Sequence, residues 1–314
     1  MIAAAVGYAL ILVAFWMAAW HSAAGLSLAH DFPRAFASFA LLLAPLWFFA
    51  FAAAEPLRRC GDGLRVGLAA LLAVPYFVFA AGSPVFQWRM AVTVTAFPVL
   101  LAGFLGLLKL SAKMTWRDAI ALALITAAYF LRWFQPAWPG STSAMFAKVF
   151  LADVALYCFL VARRLDDMGY SLVPSPVTAW IGIREWLFYF PFALLIGETL
   201  GFIGFHRTLP PVGTAIGAVL VTFVLIALPE ELFFRAILQN LLETRMGRTA
   251  ALIFASVLFG LSHFNHGSAF NWRYVLLATI AGIFYGRAWR AQRQIFASVL
   301  THTLVDAAWS LWFR

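Results

Sequence analysis

Charged residues are scarce in this sequence. Only 11% of the 314 residues are Asp, Glu, Lys or Arg, and 64% are hydrophobic. Soluble globular domains carry about 25% charged residues, so this composition excludes an ordinary water-soluble fold. Cysteine is also rare, because Cys60 and Cys158 are the only two and no Cys-x-x-Cys pair exists. We therefore expect neither a disulfide framework nor a cysteine metal site.

Long apolar runs make up most of what is present. Runs of about 17 to 25 mostly apolar residues, each long enough to cross a hydrocarbon core as a helix, recur along the whole chain. They predict an all-α fold, a polytopic transmembrane helical bundle of about eleven spans. The predicted spans are 2–20, 37–54, 66–82, 91–110, 118–134, 145–162, 186–205, 212–243, 249–266, 274–289 and 294–313.

The basic residues follow the predicted loops. The formal net charge is +9, but Lys and Arg are spread over short loops and form no patch with interleaved aromatic residues. We therefore expect no nucleic-acid partner. Lys and Arg are about twice as frequent in the even-to-odd connections as in the others, which predicts a cytoplasmic N-terminus by the positive-inside rule. The expected location is the cell membrane, with the lipid bilayer as a partner.

One polar stretch divides the chain. It runs from Arg163 to Glu185 and is the longest segment without a predicted span. It separates residues 1–165, which form about six membrane helices of unknown role, from residues 186–314. Ionisable residues inside apolar runs are concentrated in this second part, where an unpaired charge is costly.

The first intramembrane cluster contains two adjacent glutamates. Glu230, Glu231 and Arg235 follow a long apolar run. Glu231 and Arg235 are spaced i, i+4, so they share a helix face and can form an ion pair. Glu230 is turned by about 100° from Glu231 on an ideal helix. Its carboxylate is then available for proton exchange, which is what a general base requires.

Two further clusters lie in later spans. Phe259 and His263 end the ninth predicted span, and His302 and Asp306 lie at i, i+4 on one face of the last. A lone histidine near a helix end is more often structural, whereas the second pair points to a shared cavity. With a rise of about 1.5 Å per residue from the predicted cytoplasmic ends, Glu230 and the three later polar residues reach similar depths. We therefore expect one shared site.

The order of these motifs is informative. Glu-Glu-x-x-x-Arg, Phe-x-x-x-His and His-x-x-x-Asn/Asp on successive membrane helices resemble the CAAX-protease and bacteriocin-processing (CPBP) family. The resemblance covers about residues 186–313 and implies a CPBP-like helical core with an intramembrane glutamic protease site. It implies that Glu230 activates water with the help of His263, while His302 and Asp306 bind or polarise the scissile carbonyl.

The same resemblance assigns supporting roles and contains one departure. Glu231 and Arg235 would order the site, and Phe259 belongs to the second motif. Many members of the family have Asn where this chain has Asp306. An ionised Asp cannot donate a hydrogen bond to an oxyanion, so Asp306 would orient His302 or stay protonated.

The implied activity is hydrolysis of a peptide bond in a membrane-associated protein or peptide, lipidated or C-terminally tagged. We expect no cofactor, although two histidines and two carboxylates could also bind zinc. His206, Asn265 and His266 could be extra ligands, but histidines at helix ends are more often interfacial. The alternative is a non-catalytic or proton-coupled transporter or immunity protein, since transporters also use intramembrane Glu, Asp and His. No paired halves typical of transporters are evident.

Overall fold

The computed structural model describes residues 1–25, 32–108, 110–139, 144–205, 210–264 and 270–313. In these ranges the chain forms α-helices with short 3-10 and π-helical turns, and no β-strand. The predicted all-α fold is therefore confirmed. The chain divides into two compact units, Met1–Asp166 and Asp167–Arg314, and the division falls within the polar stretch noted above.

In its described ranges, the first unit contains eight α-helices. They are α1 (Ile2–Gly25), α2 (Phe32–Phe49), α3 (Glu55–Arg58), α4 (Asp62–Leu68), α5 (Val74–Ala80), α6 (Trp88–Gly106), α7 (Trp116–Phe130) and α8 (Ala144–Leu156). A 3-10 turn, Ala69–Ala73, joins α4 to α5, a second covers Gln135–Ala137, and α8 continues as a π-helical turn, Tyr157–Ala162. Buried Asp118 caps the first turn of α7 together with Thr115 and forms a 2.9 Å ion pair with Arg163.

The part of the second unit that the structure describes contains seven α-helices. They are α9 (Pro176–Thr199), α10 (Val212–Val221), α11 (Leu228–Glu231), α12 (Asn240–Met246), α13 (Arg248–Leu261), α14 (Trp272–Gln292) and α15 (Ile295–Trp312). Helix α9 begins earlier than the predicted span at 186. Ser175 and Thr178 form a capping box and Pro176 occupies the first helical turn, which together start the helix within the predicted polar stretch.

Among the described residues, seven helices are long and apolar enough to cross a membrane, by length and composition. They are Ile2–Ala19, Phe32–Phe49, Asp62–Ala80, Trp88–Gly106, Met145–Ala162, Pro176–Thr199 and Val212–Met246. The protein is thus a multi-pass membrane protein, but the predicted count of eleven is not confirmed. Helices α7 and α13 have only 15 and 14 residues, and α14 and α15 contain the charged and polar side chains described below.

The start of α15 is held by the segment that precedes α9. The backbone N–H of Ile295 donates to the carbonyl of Gly169 at 2.8 Å, and that of Phe296 donates to the carbonyl of Ser171 at 3.3 Å. Gly169 has φ +59°, and a Cβ there would overlap the carbonyl of Arg293. The segment therefore needs glycine at this position and supplies acceptors to helical N–H groups that would otherwise lack partners.

Candidate functional site

The two glutamates lie on a short α-helical turn inside a longer helix. Residues from Val212 to Met246 are continuously helical, but π-helical turns at Thr222–Ala227 and Leu232–Gln239 flank α11. Pro229 has no N–H and its ring crowds the carbonyl one turn earlier, which disfavours regular α-helical bonding. A π-helical turn relieves such a conflict and is frequent at functional sites.

Glu231 is surrounded by donors from two helices. Its Oε2 lies 3.1 Å from Nε of Arg235, and both side chains are fully buried. The hydroxyl of Ser298 on α15 donates to the same oxygen. Oε1 of Glu231 lies 2.9 Å from Nδ1 of His302. The expected i, i+4 ion pair is therefore present, and Glu231 also anchors α15 through two further hydrogen bonds.

The imidazole of His302 faces carboxylates on both sides. Its Nδ1 meets Glu231, while its Nε2 lies 3.4 Å from Oδ2 of Asp306 and 3.9 Å from Oε2 of Glu230. Carboxylates only accept hydrogen bonds when ionised, so this arrangement favours a proton on each ring nitrogen. An imidazolium in this position can donate a hydrogen bond to a neighbouring oxygen.

Aromatic rings fix the plane of that imidazole. The ring of Tyr285 stacks on His302 with centroids 4.5 Å apart and an interplanar angle of 15°. Phe259 packs edge-on against the same imidazole at 5.7 Å. Both aromatic side chains are buried. With hydrogen bonds in its plane and rings on its face and edge, His302 has little freedom to rotate.

The site is buried on one side and more open on the other. The side chains of Glu231 and His302 are 0% and 3% exposed, whereas those of Glu230 and Asp306 are 17% and 30% exposed. A reacting group would therefore approach from the side of Glu230 and Asp306. The deeper residues can position the others without contacting that group.

His263 joins the site through Phe259. Its Nδ1 lies 2.8 Å from the backbone carbonyl of Phe259, and its ring centroid is 4.8 Å from the Phe259 ring. Because a carbonyl only accepts, Nδ1 carries the proton in this contact and Nε2 is the lone-pair nitrogen of the neutral ring. The Phe259 ring also contacts His302 and lies 5.1 Å from the guanidinium carbon of Arg235.

The structure thus brings every predicted site residue into one part of the second unit. Glu230, Glu231, Arg235, Phe259, His302 and Asp306 are connected by direct contacts, and His263 lies beside Phe259. His206, Asn265 and His266 lie outside the described residues. Within the described ranges, no group of three or more His, Cys, Asp or Glu side chains has the arrangement of a metal site.

Two residues of the cluster were missed from the sequence. Ser298 lies four residues before His302, so the same spacing rule that paired His302 with Asp306 could have found it. Tyr285 gave no such signal, because an aromatic residue in an apolar helix is usually a core residue. Its contact with His302 depends on how α14 packs against α15.

Fold and site together define a multi-pass, all-helical membrane protein with a cluster of carboxylates and imidazoles between packed helices. Residues 212–308 match the family model described as type II CAAX prenyl endopeptidase Rce1-like. The match covers less than half of the chain and contains every predicted site residue. It confirms the resemblance to the CPBP family and indicates an intramembrane protease. No curated protein and no solved structure gives a match.

Proposed function

We propose that this protein is an intramembrane endopeptidase in which Glu230 activates the attacking water. The observation that supports this proposal best is the environment of His302. Glu231 holds its Nδ1, and its Nε2 faces Glu230 and Asp306. A carboxylate that can take a proton therefore lies beside an imidazole that can donate a hydrogen bond, as peptide hydrolysis requires.

In the proposed reaction Glu230 accepts a proton from water as the water oxygen attacks the scissile carbonyl carbon. A C–O bond forms, and the electron pair of the carbonyl moves to its oxygen. The N–H at Nε2 of His302, which it shares with Asp306, stabilises this oxyanion. The lone-pair nitrogen of His263 accepts a hydrogen bond from the attacking water and helps to orient it. When the C=O bond re-forms, the C–N bond breaks and Glu230 transfers its proton to the leaving amine. Glu230 is thereby returned to its carboxylate form.

Asp306 has a different role in this proposal. Its carboxylate lies 3.4 Å from Nε2 of His302, on the same face of α15. An ionised carboxylate cannot donate to an oxyanion, but it can hold an imidazole in one orientation. We therefore infer that Asp306 orients His302, while Glu231, Arg235 and Phe259 fix the site from its buried side.

The proposed substrate is a membrane-associated protein or peptide, lipidated or C-terminally tagged. The match to a family of CAAX prenyl endopeptidases supports a lipidated substrate. A first test substrate is therefore a prenylated peptide that ends in a CAAX sequence. It is reconstituted with the protein in vesicles whose lipid composition resembles that of a cell membrane. We infer a cytoplasmic N-terminus from the distribution of basic residues.

The decisive experiment replaces Glu230 by Gln. This change keeps the shape of the side chain but removes its ability to take a proton. We expect cleavage to fall by at least about 10²-fold, a typical contribution of a general base, while insertion and thermal stability stay near wild type. Glu198→Gln is the matched control, since Glu198 is an exposed carboxylate on α9. Full cleavage by folded Glu230→Gln protein would contradict the proposal.

We propose that no metal takes part in this reaction. Among the described residues, no three His, Cys, Asp or Glu side chains are placed to hold a metal ion together, and the carboxylates beside His302 can keep a proton on each of its nitrogens. Activity should therefore survive extended treatment with a chelator. One tightly bound zinc ion per active chain, together with loss of cleavage on its removal, would contradict this expectation.

A further inference from the structure

A second charged cluster lies between α9 and α14, apart from the site described above. Nη2 of Arg184 lies 2.8 Å from Oε1 of Glu185, and Nε of Arg287 lies 3.1 Å from Oε2 of the same carboxylate. The Glu185 side chain is 1% exposed, whereas those of Arg184 and Arg287 are 38% and 41% exposed. One buried carboxylate thus holds two arginines at the surface of the helix pair.

The charges of this cluster do not balance. Two guanidiniums face one carboxylate, so one positive charge is left over. Among the described residues, neither guanidinium forms a hydrogen bond to any group other than Glu185. Each guanidinium has five N–H donors, so both retain donors for another acceptor. Because Glu185 already holds them in place, little further side-chain freedom is lost on binding.

The positions of Arg184 and Arg287 along their helices indicate which kind of acceptor their unused N–H donors bind. Arg184 lies about 12 Å along α9 from Pro176, at 1.5 Å per residue, and α9 is one of the candidate spans. Arg287 lies close to the C-terminal end of α14, which is at Gln292. Trp180, one turn before Arg184, is 57% exposed, as is usual for a tryptophan at the headgroup level of a membrane.

An uncompensated positive charge near the headgroup level of a membrane favours the binding of an anionic lipid headgroup. Arginine forks match the oxygens of a phosphate group, and two of them side by side can bind it from both sides. The residual charge of the cluster also equals, with opposite sign, that of a phosphodiester. We propose that Arg184 and Arg287 bind the phosphate of an anionic phospholipid, which clamps α9 to α14.

The test measures thermal unfolding of the purified protein in a neutral detergent. The additions are phosphatidylglycerol, phosphatidylcholine or inorganic phosphate. We expect phosphatidylglycerol to raise the unfolding midpoint of the wild-type protein well above the value with either other addition. Native mass spectrometry of the same samples should show one retained phosphatidylglycerol molecule. An equal rise with inorganic phosphate alone would overturn the lipid assignment in favour of a free-phosphate site.

Arg287→Gln is the informative variant. It leaves Arg184 and Glu185 as a neutral ion pair, so the helix pair should still fold, but it removes the excess charge. We expect the variant to lose both the phosphatidylglycerol-dependent rise and the retained lipid. Arg290→Gln is the control, since Arg290 has the same charge on the same helix but bonds to the backbone of Arg248. The proposal would be overturned if phosphatidylglycerol stabilised Arg287→Gln as much as the wild-type protein. It would also be overturned if Arg287→Gln and Arg290→Gln lost this stabilisation equally.

Should Arg287→Gln protein fail to fold, Arg184→Gln gives the same comparison from the other helix. It leaves Arg287 and Glu185 as the neutral pair, joined at 3.1 Å between α14 and α9. The proposal again requires loss of the lipid-dependent rise. Neither experiment uses peptide cleavage as its readout, so the result does not depend on the proposed protease activity.

Discussion

The ring of Tyr285 lies nearly parallel to the imidazole of His302, 4.5 Å from centroid to centroid. The hydrogen bond from Nδ1 of His302 to Glu231 sets one edge of the imidazole, but rotation about that bond would move Nε2 away from Asp306. A flat ring against its face opposes this rotation. We therefore expect Tyr285 to act as a positioning residue, through its contact with His302.

We expect Tyr285→Leu to lower kcat by about 10²-fold, the usual loss when a reacting group is displaced by about 1 Å. KM should change little, since Tyr285 is buried behind His302. Tyr285→Phe keeps the ring and should restore kcat to near the wild-type value. Steady-state cleavage of the prenylated peptide measures both constants. A folded Tyr285→Leu protein with unchanged kcat would show that the stack does not position His302.

The ion pair between Glu231 and Arg235 gives a prediction about stability. Both side chains are fully buried, so Arg235→Met should leave the Glu231 carboxylate with only Ser298 and His302 as partners. We expect a loss of up to about 3–5 kcal/mol of unfolding free energy. Glu231→Gln combined with Arg235→Met removes both charges and should recover much of this loss. The double variant should nevertheless cleave poorly, because His302 loses its anionic partner.

Reversible unfolding of the reconstituted protein in a denaturing detergent would measure these free energies as a double-mutant cycle. If the two substitutions had additive effects on the free energy of unfolding, the double variant would recover none of the loss. That result would contradict an energetic coupling between Glu231 and Arg235. Cleavage at the wild-type rate by the double variant would contradict the role of Glu231 in holding His302.

Asp306 can be tested with Asn, the residue that the resemblance noted in the sequence suggests for this position. An Asn side chain keeps a carbonyl oxygen that can accept from Nε2 of His302, whereas Leu cannot. We expect Asp306→Asn to retain cleavage within about tenfold of wild type, as for one neutral hydrogen bond replacing a charged one. Asp306→Leu should lose far more. Comparable rates for the Leu variant and wild type would exclude the orienting role.

Close packing of α13 on α14 gives a prediction at glycine. A Cβ on Gly260 would lie 2.6 Å from the backbone carbonyl of Val275 and 2.9 Å from Cβ of Thr279. Gly260→Ala should therefore separate the helices, costing about 1–3 kcal/mol by overpacking, and should displace His263 three residues later. The thermal unfolding midpoint and the cleavage rate should both fall.

The matched control is Gly217→Ala. A Cβ on Gly217 meets nothing within 4 Å, and its helix α10 gains from the change by about 0.5–1 kcal/mol of propensity. This variant should be as stable as wild type or more so, with unchanged cleavage. A Gly260→Ala protein that matched Gly217→Ala in both measurements would show that α13 and α14 are not held at this separation.

Local spacing predicted a large part of the site. The pairs Glu231–Arg235 and His302–Asp306 follow from the i, i+4 rule, which depends only on helix geometry. Shared depth, estimated from the rise of a helix, also predicted that the separate motifs meet. These inferences succeed because an apolar run of this length in a membrane has few conformations other than a helix.

The remainder depends on contacts that no single helix determines. The hydrogen bond from Ser298 to Glu231 and the stacking of Tyr285 on His302 arise from the packing of neighbouring helices. Helix α9 begins at Pro176 because of a capping box that the hydropathy of the segment does not reveal. The count of eleven spans depended on apolar length alone, and α13, with 14 residues, is an example of a helix too short for that criterion.

The hydrogen bonds from the first turn of α15 to Gly169 and Ser171 link the position of that helix to the segment that precedes α9. They set the position along the helix axis at which α15 begins, and with it the position of His302 relative to Glu230 and Glu231. Cutting or lengthening the chain between 168 and 173 would let α15 slide by a fraction of a turn with every reactive side chain intact. The geometry of the Glu231–His302 cluster thus depends partly on backbone hydrogen bonds from a segment that contributes no side chain to it.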